Sequence, residues 1–504
     1  MQQFFAILKD SFREAVDGFV IYLMLALALL MVVLVGSVSY EPEGPGEGLP
    51  AVLDQFNIVF PDKGRSQYPV GMPMPLAYTP SEAGLAADGT MTFNLTVEYT
   101  DQPFRTRKAG AANDASSVKE GGATDEKKDE KKEEKKPKPK PPGGADVFRF
   151  AVAAWKLPAG EKIKEDPRQN RNRLLNQGGT DKKLEIVMPP NMKDEDIKGV
   201  SDEDMAEFLQ SQFVTFVGVS KSDVVVKRKP GVAEPEYQFE VTLKSVTGAR
   251  GWPHKIHILF KAFTIDRVPL GLAVYFVQDQ LVNGIGAAVT LLLSVVITAF
   301  FIPNMLRKGS LDLLISKPIG RVQLLVYKYI GGLTFIFLVS TFTIGLVWLV
   351  TAIRSGYWDP SFLLVIPALT FTFAVVYAVS TLVAVLTRSA IASILISVGF
   401  MFGMWVIGGV VKGFFDRNKV TQQVNLPEWS YTLVDTLNNI LPRYKDLDKL
   451  TTKLIADANL PTGLSRLLGL LVEFPSFGGA VSVSLIFIAL ALGLASWRFA
   501  KRDG

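Results

Sequence analysis

Residues 303–328 read PNMLRKGSLDLLISKPIGRVQLLVYK and join two long apolar runs. Proline has no amide donor and its ring clashes with the preceding turn, so Pro303 is expected to end the helix before it. Arg307 and Lys308 then fall at a membrane surface. Gly309 and Ser310 lead into a short apolar patch of Leu311, Leu313, Leu314 and Ile315, with Asp312 set against it. Ser316-Lys317-Pro318 closes that piece, and Gly320-Arg321 opens a helix near Val322. From these residues alone the stretch is either a basic loop between membrane spans or a docking element for a partner in the cytoplasm. Both readings need a bilayer on either side of it.

The runs around it meet that need. Six segments are predicted to span: Phe19–Val38, Gln280–Ile302, Tyr329–Ala352, Phe362–Leu386, Ala390–Val411 and Gly479–Trp497. Each is at least 19 residues long and free of Lys, Arg, Asp and Glu. A helix rises about 1.5 Å per residue, so about 20 residues cross the ~30 Å hydrocarbon layer. The first run could be a secretory leader. It is read as an uncleaved helix because the segment before it carries Asp10, Glu14 and Asp17, whereas leaders begin with a short basic region. That segment, within residues 1–18, has Phe4, Phe5, Leu8, Phe12 and Val16 on one helical face, which predicts an interfacial amphipathic helix. Lys/Arg placement sets the orientation. Lys9, Arg13, Arg307, Lys308, Lys317, Arg321, Lys328, Arg388, Arg498, Lys501 and Arg502 gather on one side. The short loop after the third span offers only Arg354 against Asp359. Both termini are therefore expected in the cytoplasm.

Between the first two spans lie residues 40–270, expected to be an extracytoplasmic domain. Alternating residues predict strands at 91–99, 147–155, 184–188, 223–227, 237–246 and 255–265, and one helix at 202–213. The expectation is a β-rich fold, a sandwich or similar. Within it, residues 110–145 include the run TDEKKDEKKEEKKPKPKPP at 124–142, which has nothing to bury and is read as a disordered insertion. His254 and His257, three apart on a strand, point to opposite faces and are read as structural. A second extracytoplasmic segment, 413–478, carries two apolar helices too short to span, at 429–441 and 464–474. The fifth span has a small-residue face: Ser393 and Ser397 recur every four residues and Gly399 and Gly403 form GxxxG, a pattern that lets helices approach closely.

Composition narrows the function. Of 504 residues 48% are hydrophobic, and the net charge of +5 gives no sign of nucleic-acid binding. There is no cysteine, hence no disulfide or thiolate chemistry. No phosphate-binding Gly-rich loop, catalytic triad or zinc pattern is visible, and the spans lack the acidic residues of ion-coupled carriers. The chain is not read as an enzyme, and any transport it performs must draw energy from a partner.

The sequence RKGSLDLLISKPI at 307–319 resembles the cytoplasmic loop after the second transmembrane helix of ABC-2 type ABC transporter permeases. The resemblance covers the N-terminus and the chain from about residue 270, and leaves out the 40–270 insert. It implies a coupling helix that docks on a separate cytoplasmic ABC ATPase. Arg307, Lys308, Gly309, Ser310, Leu311, Asp312, Leu313, Leu314, Ser316, Lys317 and Pro318 would form that interface, with Leu311, Leu313 and Leu314 as the buried anchors. ATP and Mg²⁺ would bind in the ATPase and no cofactor in this chain. The resemblance further implies a second copy or a homologous permease, an export role, and short helices between the last two spans that dip into the outer leaflet. With the lack of cysteine it fits a bacterial inner membrane. The expected fold is thus a polytopic α-helical membrane protein of six spans with an inserted β-rich domain, itself open to an extracytoplasmic partner. A competing reading makes the chain an ATPase-coupled mechanotransmitter or envelope scaffold that acts through the insert and passes no substrate.

Overall fold

The computed structural model describes residues 20–59, 72–100, 146–156, 194–229, 236–284, 294–296, 298–305, 320–421, 426–471 and 476–501, with a few single positions between. The helix expected at 2–17, the insertion at 110–145, the strand at 184–188 and the docking residues Arg307–Pro318 lie outside the described residues. The chain divides into two units: residues 43–252, and residues 1–42 together with 253–504.

Helix α1 (Val20–Gly36) and strand β1 (Ser39–Pro42) lead to the insert. The insert holds α2 (Pro45–Leu53), β2 (Leu76–Leu85), β3 (Met91–Tyr99), α3 (Val147–Lys156), α4 (Asp202–Phe216), β4 (Val224–Arg228) and β5 (Tyr237–Leu243). Its sheet is antiparallel, in the order β2-β3-β5-β4. Alternation does what it predicts. Met91, Phe93, Leu95 and Val97 are buried, and they pair with the equally buried Leu243, Val241, Phe239 and Tyr237. Helices cover this face, so the expected sandwich is corrected to a sheet with a helical layer. Phe148 of α3 packs on Tyr237 and Phe239, and Phe213 of α4 on Phe93 and Phe56.

Helix α3 occupies the place of the strand expected at 147–155. The apolar run hid its period because nearly every side chain in it is buried. Three alanines favour helix, and the Asp146 carboxylate accepts the amides of Phe148 (3.0 Å) and Arg149 (3.2 Å) as an N-cap would. Helix α4 runs one turn beyond its expected end and starts in a capping box. Ser201 Oγ accepts the Asp204 amide at 3.2 Å, and Asp204 Oδ2 accepts the Ser201 amide at 3.0 Å. Ser201→Ala is expected to destabilise the insert by about 1 kcal/mol. In a temperature series of protease resistance on the full chain this lowers the midpoint by a few degrees, and Ser201→Thr should restore it.

The other unit continues with β6 (Pro253–Ile258), β7 (Phe263–Pro269) and α5 (Leu270–Val282), where β1, β6 and β7 form an antiparallel sheet. The strand expected at 255–265 is therefore a hairpin. Its turn has no Gly, Pro or Asn. Leu259, Phe260 and Lys261 instead take positive φ, which leaves no sequence signal. His254 is buried on β6, while His257 pairs with Glu41 of β1 at 3.4 Å. The Lys261 ammonium, hydrogen-bonded to Glu41 at 3.2 Å, and the neighbouring His257 hold the Glu41 carboxyl below its usual range.

Among the described residues, four helical stretches are long and apolar enough to cross a membrane: Arg321–Ser355, Pro360–Thr387, Ala390–Phe415 and Phe477–Lys501. They contain α6 (Arg321–Ser355), α7 (Val365–Thr387) and α8 (Ala390–Trp405). Three shorter helices, α9 (Glu428–Ile440), α10 (Tyr444–Asn459) and α11 (Thr462–Leu471), precede α12 (Phe477–Lys501). Helix α7 is central and mostly enclosed, whereas the other three spans bury less than a quarter of their apolar window and turn Leu, Ile and Phe outward. That is the pattern of a bundle whose solvent is lipid. Helix α1 falls within the expected first span, Phe19–Val38, but over its 17 described residues is shorter than those four stretches. The expected second span, Gln280–Ile302, is not one helix, because α5 ends inside it at the cap Asn283. Asn283-Gly284 is a turn signal that hydropathy reads through. The Asn283 side chain donates to Asp279 (2.7 Å) and Thr452 (3.0 Å).

Candidate functional site

The residues that enter and leave the 306–319 segment are held in one buried layer. Ile302 and Met305 on the near side, and Leu324 and Leu325 on the far side, pack with Ala384 and Val385 of α7 and Ala495 and Phe499 of α12. The start of α6 and the ends of α7 and α12 thus meet at one end of the bundle. That end carries Arg321, Arg388, Arg498 and Lys501. Arg388 caps α7 in the left-handed region (φ 56°), and Lys501 sits 4.5 Å from the Trp497 ring. Pro303 does not end the preceding helix as expected. It is buried inside the helical turn Phe301–Met305, and the break falls at Ala299–Phe300. The reason is the bond proline cannot make: its nitrogen would have donated to the Ala299 carbonyl one turn back. Lys328, grouped in the sequence with surface cations, is only 2% exposed, on the α6 face that carries Leu324 and Leu325.

Above that layer the bundle is keyed by aromatic rings. Tyr377 of α7 stacks on Tyr329 of α6 (5.0 Å, 8° between planes) and on Phe373 (5.4 Å). Tyr329 donates to the Ala374 carbonyl at 2.8 Å. A hypothetical Cβ on Gly332 would lie 2.5 Å from the Tyr377 hydroxyl, so α6 and α7 touch there only because residue 332 has no side chain. A cavity of about 50 Å³ opens between α1, α5, α6 and α7, lined by Met24, Val282, Ile336, Val339 and Phe373 with Ser294 and Ser340.

The small residues of α8 divide into two groups. Ser393 and Ser397 are fully buried, and Ser393 donates to the Ser380 carbonyl of α7 at 2.7 Å. Gly399 and Gly403 face open space, and a Cβ added at either position would meet nothing within 4 Å. Past α8 the helix widens into a π turn, Val406–Val411. Its Gly408-Gly409 pair admits the stem of Lys445, whose Cε would lie 3.2 Å from a Cβ on Gly409.

The short helices expected at 429–441 and 464–474 are α9 and α11. Helix α10 between them is not among the expected elements, although Leu447, Leu450, Leu454, Ile455 and Ala458 recur at helical spacing. It is the best anchored of the three. Asn459 donates to Gln278 of α5 at 2.7 Å, Thr451 donates to Asn283, and the Ala458 carbonyl accepts the Tyr357 hydroxyl at 2.8 Å. Nothing in this constellation resembles a reacting centre. What it offers is mechanical: helices locked in pairs, with one short segment whose two ends lie in the same buried layer.

Comparison with curated proteins finds no match. A family model described as ABC-2 family transporter protein matches residues 203–504, more than half of the chain. The match reaches further into the insert than the 307–319 resemblance implies, taking in α4, β4 and β5, and it leaves out α1. With its apolar helices and this match, the chain belongs to the ABC-2 family of transporter proteins, as a membrane component of an ABC transporter.

Proposed function

We propose that the chain is the permease subunit of an ABC exporter, driven by a separate cytoplasmic ATPase that grips residues 307–318. The observation that carries this reading is the buried layer of Ile302, Met305, Leu324, Leu325, Ala384, Val385, Ala495 and Phe499. A push delivered at Met305 or at the start of α6 meets closely packed neighbours. It acts on α6 directly and on α7 and α12 through that layer. Closure of an ATP-bound ATPase dimer would tilt α6 as a rod, its keyed contact with Tyr377 carrying α7 along. Such coupling needs two arrangements that the ATPase contacts unequally, and tightly packed helix pairs are well suited to it.

The same layer supports the orientation. It gathers Arg321, Arg388, Arg498 and Lys501 at one end of the bundle, while the opposite end of α6 has Arg354 followed by Asp359. By the positive-inside rule the basic end is cytoplasmic, with both termini on that side. In this reading α1 is the first span, the segment around Ser294–Met305 contributes the second, and the cytoplasmic membrane of a bacterium is the location. The open Gly399 and Gly403 suit a second copy of the chain or a homologous permease, since close approach of backbones is what a bare glycine face permits. ATP and Mg²⁺ stay with the ATPase.

Leu313→Asp tests the proposal. A carboxylate in an apolar groove pays desolvation with no partner. The wild type extracted from its native membrane should bring an ABC ATPase with it, and the variant, inserted in equal amount, should lose most of it. Undiminished ATPase with the variant would sink the assignment of this segment.

A further inference from the structure

The β6–β7 hairpin presents an apolar ridge that no described residue covers. Phe260 is 74% exposed and Phe263 62%, with Leu259 and Ile265 exposed beside them. Phe263 and Ile265 alternate on one face of the edge strand β7. The turn is costly to make, because Leu259, Phe260 and Lys261 all sit at φ between 50° and 74°, where bulky side chains are rarely found. Phenylalanine and leucine held outward in such a turn mark a candidate contact surface.

We propose that this hairpin is a lipid anchor, and that Leu259, Phe260, Phe263 and Ile265 insert into the headgroup–acyl boundary of the membrane surface at which α1 ends. Its height in the membrane is what selects lipid. The Phe260 amide donates to the Ser37 carbonyl at 3.0 Å, which ties the tip to the residue just past α1. Outward-facing Leu29, Leu30, Val33 and Leu34 bring a lipid-facing surface up to that point. At the same level Arg354 at the end of α6 donates to the Val38 carbonyl at 2.9 Å, and the exposed Trp358 follows four residues later, where interfacial aromatics belong. The ridge therefore continues the lipid-facing surface of the bundle into the interface. Its flanking cations fit that place: Lys261, 3.2 Å from Glu41, and Arg267 lie where phosphate headgroups would be. Ile256, the cross-strand partner of Ile265, packs with Val38 against Ala273 of α5. Anchoring would thus hold α5 at a fixed depth while α6 and α7 move.

The chain has no cysteine, so single-cysteine variants carry a unique label. Phe260→Cys and Phe263→Cys, bearing an environment-sensitive fluorophore, are placed as full chains in phosphatidylcholine–phosphatidylglycerol nanodiscs. Ser222→Cys on the insert gives the aqueous reference. A side chain about 5–10 Å into the boundary should be quenched by lipid carrying a doxyl group near the headgroup, and its iodide quenching constant should be roughly fivefold below the reference. Iodide quenching equal to the reference, with no doxyl effect, overturns the proposal. So does protection from both quenchers, and disulfide-linked dimers of the unlabelled variant on oxidation would then show a second copy on the ridge. Phe263→Cys gives the same reading if labelling at 260 disturbs the turn.

Discussion

Gly251→Ala is expected to lower the unfolding midpoint of the insert by roughly 10 °C, from an overpacking cost of about 3 kcal/mol or more. A Cβ at 251 would lie 1.9 Å from the Phe216 carbonyl oxygen and 2.7 Å from the Val217 Cα. Both obstacles are backbone, so no side chain can swing aside. Nor can the corner slide. The Gly251 amide donates to the Val217 carbonyl at 2.8 Å, and the next residue, Trp252, is fully buried with its Nε1 donating to the Glu43 carbonyl at 3.0 Å. That bond clasps the first and last residues of the 43–252 unit. Gly248→Ala is the control, since a Cβ there would meet nothing within 4 Å, and its effect should stay within about 0.5 kcal/mol. Protease resistance of the insert in the full chain, followed against temperature, separates the two. Equal midpoints would mean that the corner at Gly251 has been misread.

Gly332→Val should act in the same way inside the membrane. Its Cβ would meet the Tyr377 hydroxyl, Cε1 and Cζ at 2.5, 2.6 and 2.7 Å. The end of a long side chain often yields, but this ring is fully buried and stacked against both Tyr329 and Phe373. Helices α6 and α7 must then separate, at a cost of about 1–3 kcal/mol or more. Gly345→Val, on the same helix with nothing within 4 Å, should leave the bundle intact. The readout is the fraction of detergent-extracted chain that stays monodisperse after a heating series. A Gly332→Val chain that survives as well as Gly345→Val would remove Tyr377 as the key between these helices.

The membrane helices were the most legible part of the sequence, because a charge-free run of Leu, Val and Phe in α6, α7 or α12 has few other uses. The failures share a cause: local geometry that hydropathy does not encode. Asn283 ends α5 in the middle of an apolar run because its amide finds Asp279 and Thr452, partners invisible until α10 is placed. The break near Pro303 falls one turn earlier than expected, where the missing hydrogen bond would have been. In the insert, β3 and β5 have one buried face, so alternation found them. Buried everywhere but at Arg149 and Lys156, α3 had too little polar face to show its period and passed for a strand. Ser393 and Gly403 looked like one small-residue face in the sequence, but only neighbours in space reveal that Ser393 is used within the chain and Gly403 is left open.

The central claim is that this membrane subunit is driven by a separate ATPase. It is tested most directly by native mass spectrometry of the complex drawn from its own membrane through a tag on this chain. The account predicts an assembly with two membrane subunits and two ABC ATPase subunits that hydrolyses ATP. A well-folded preparation containing this chain alone, with no ATPase and no ATP hydrolysis, would contradict it.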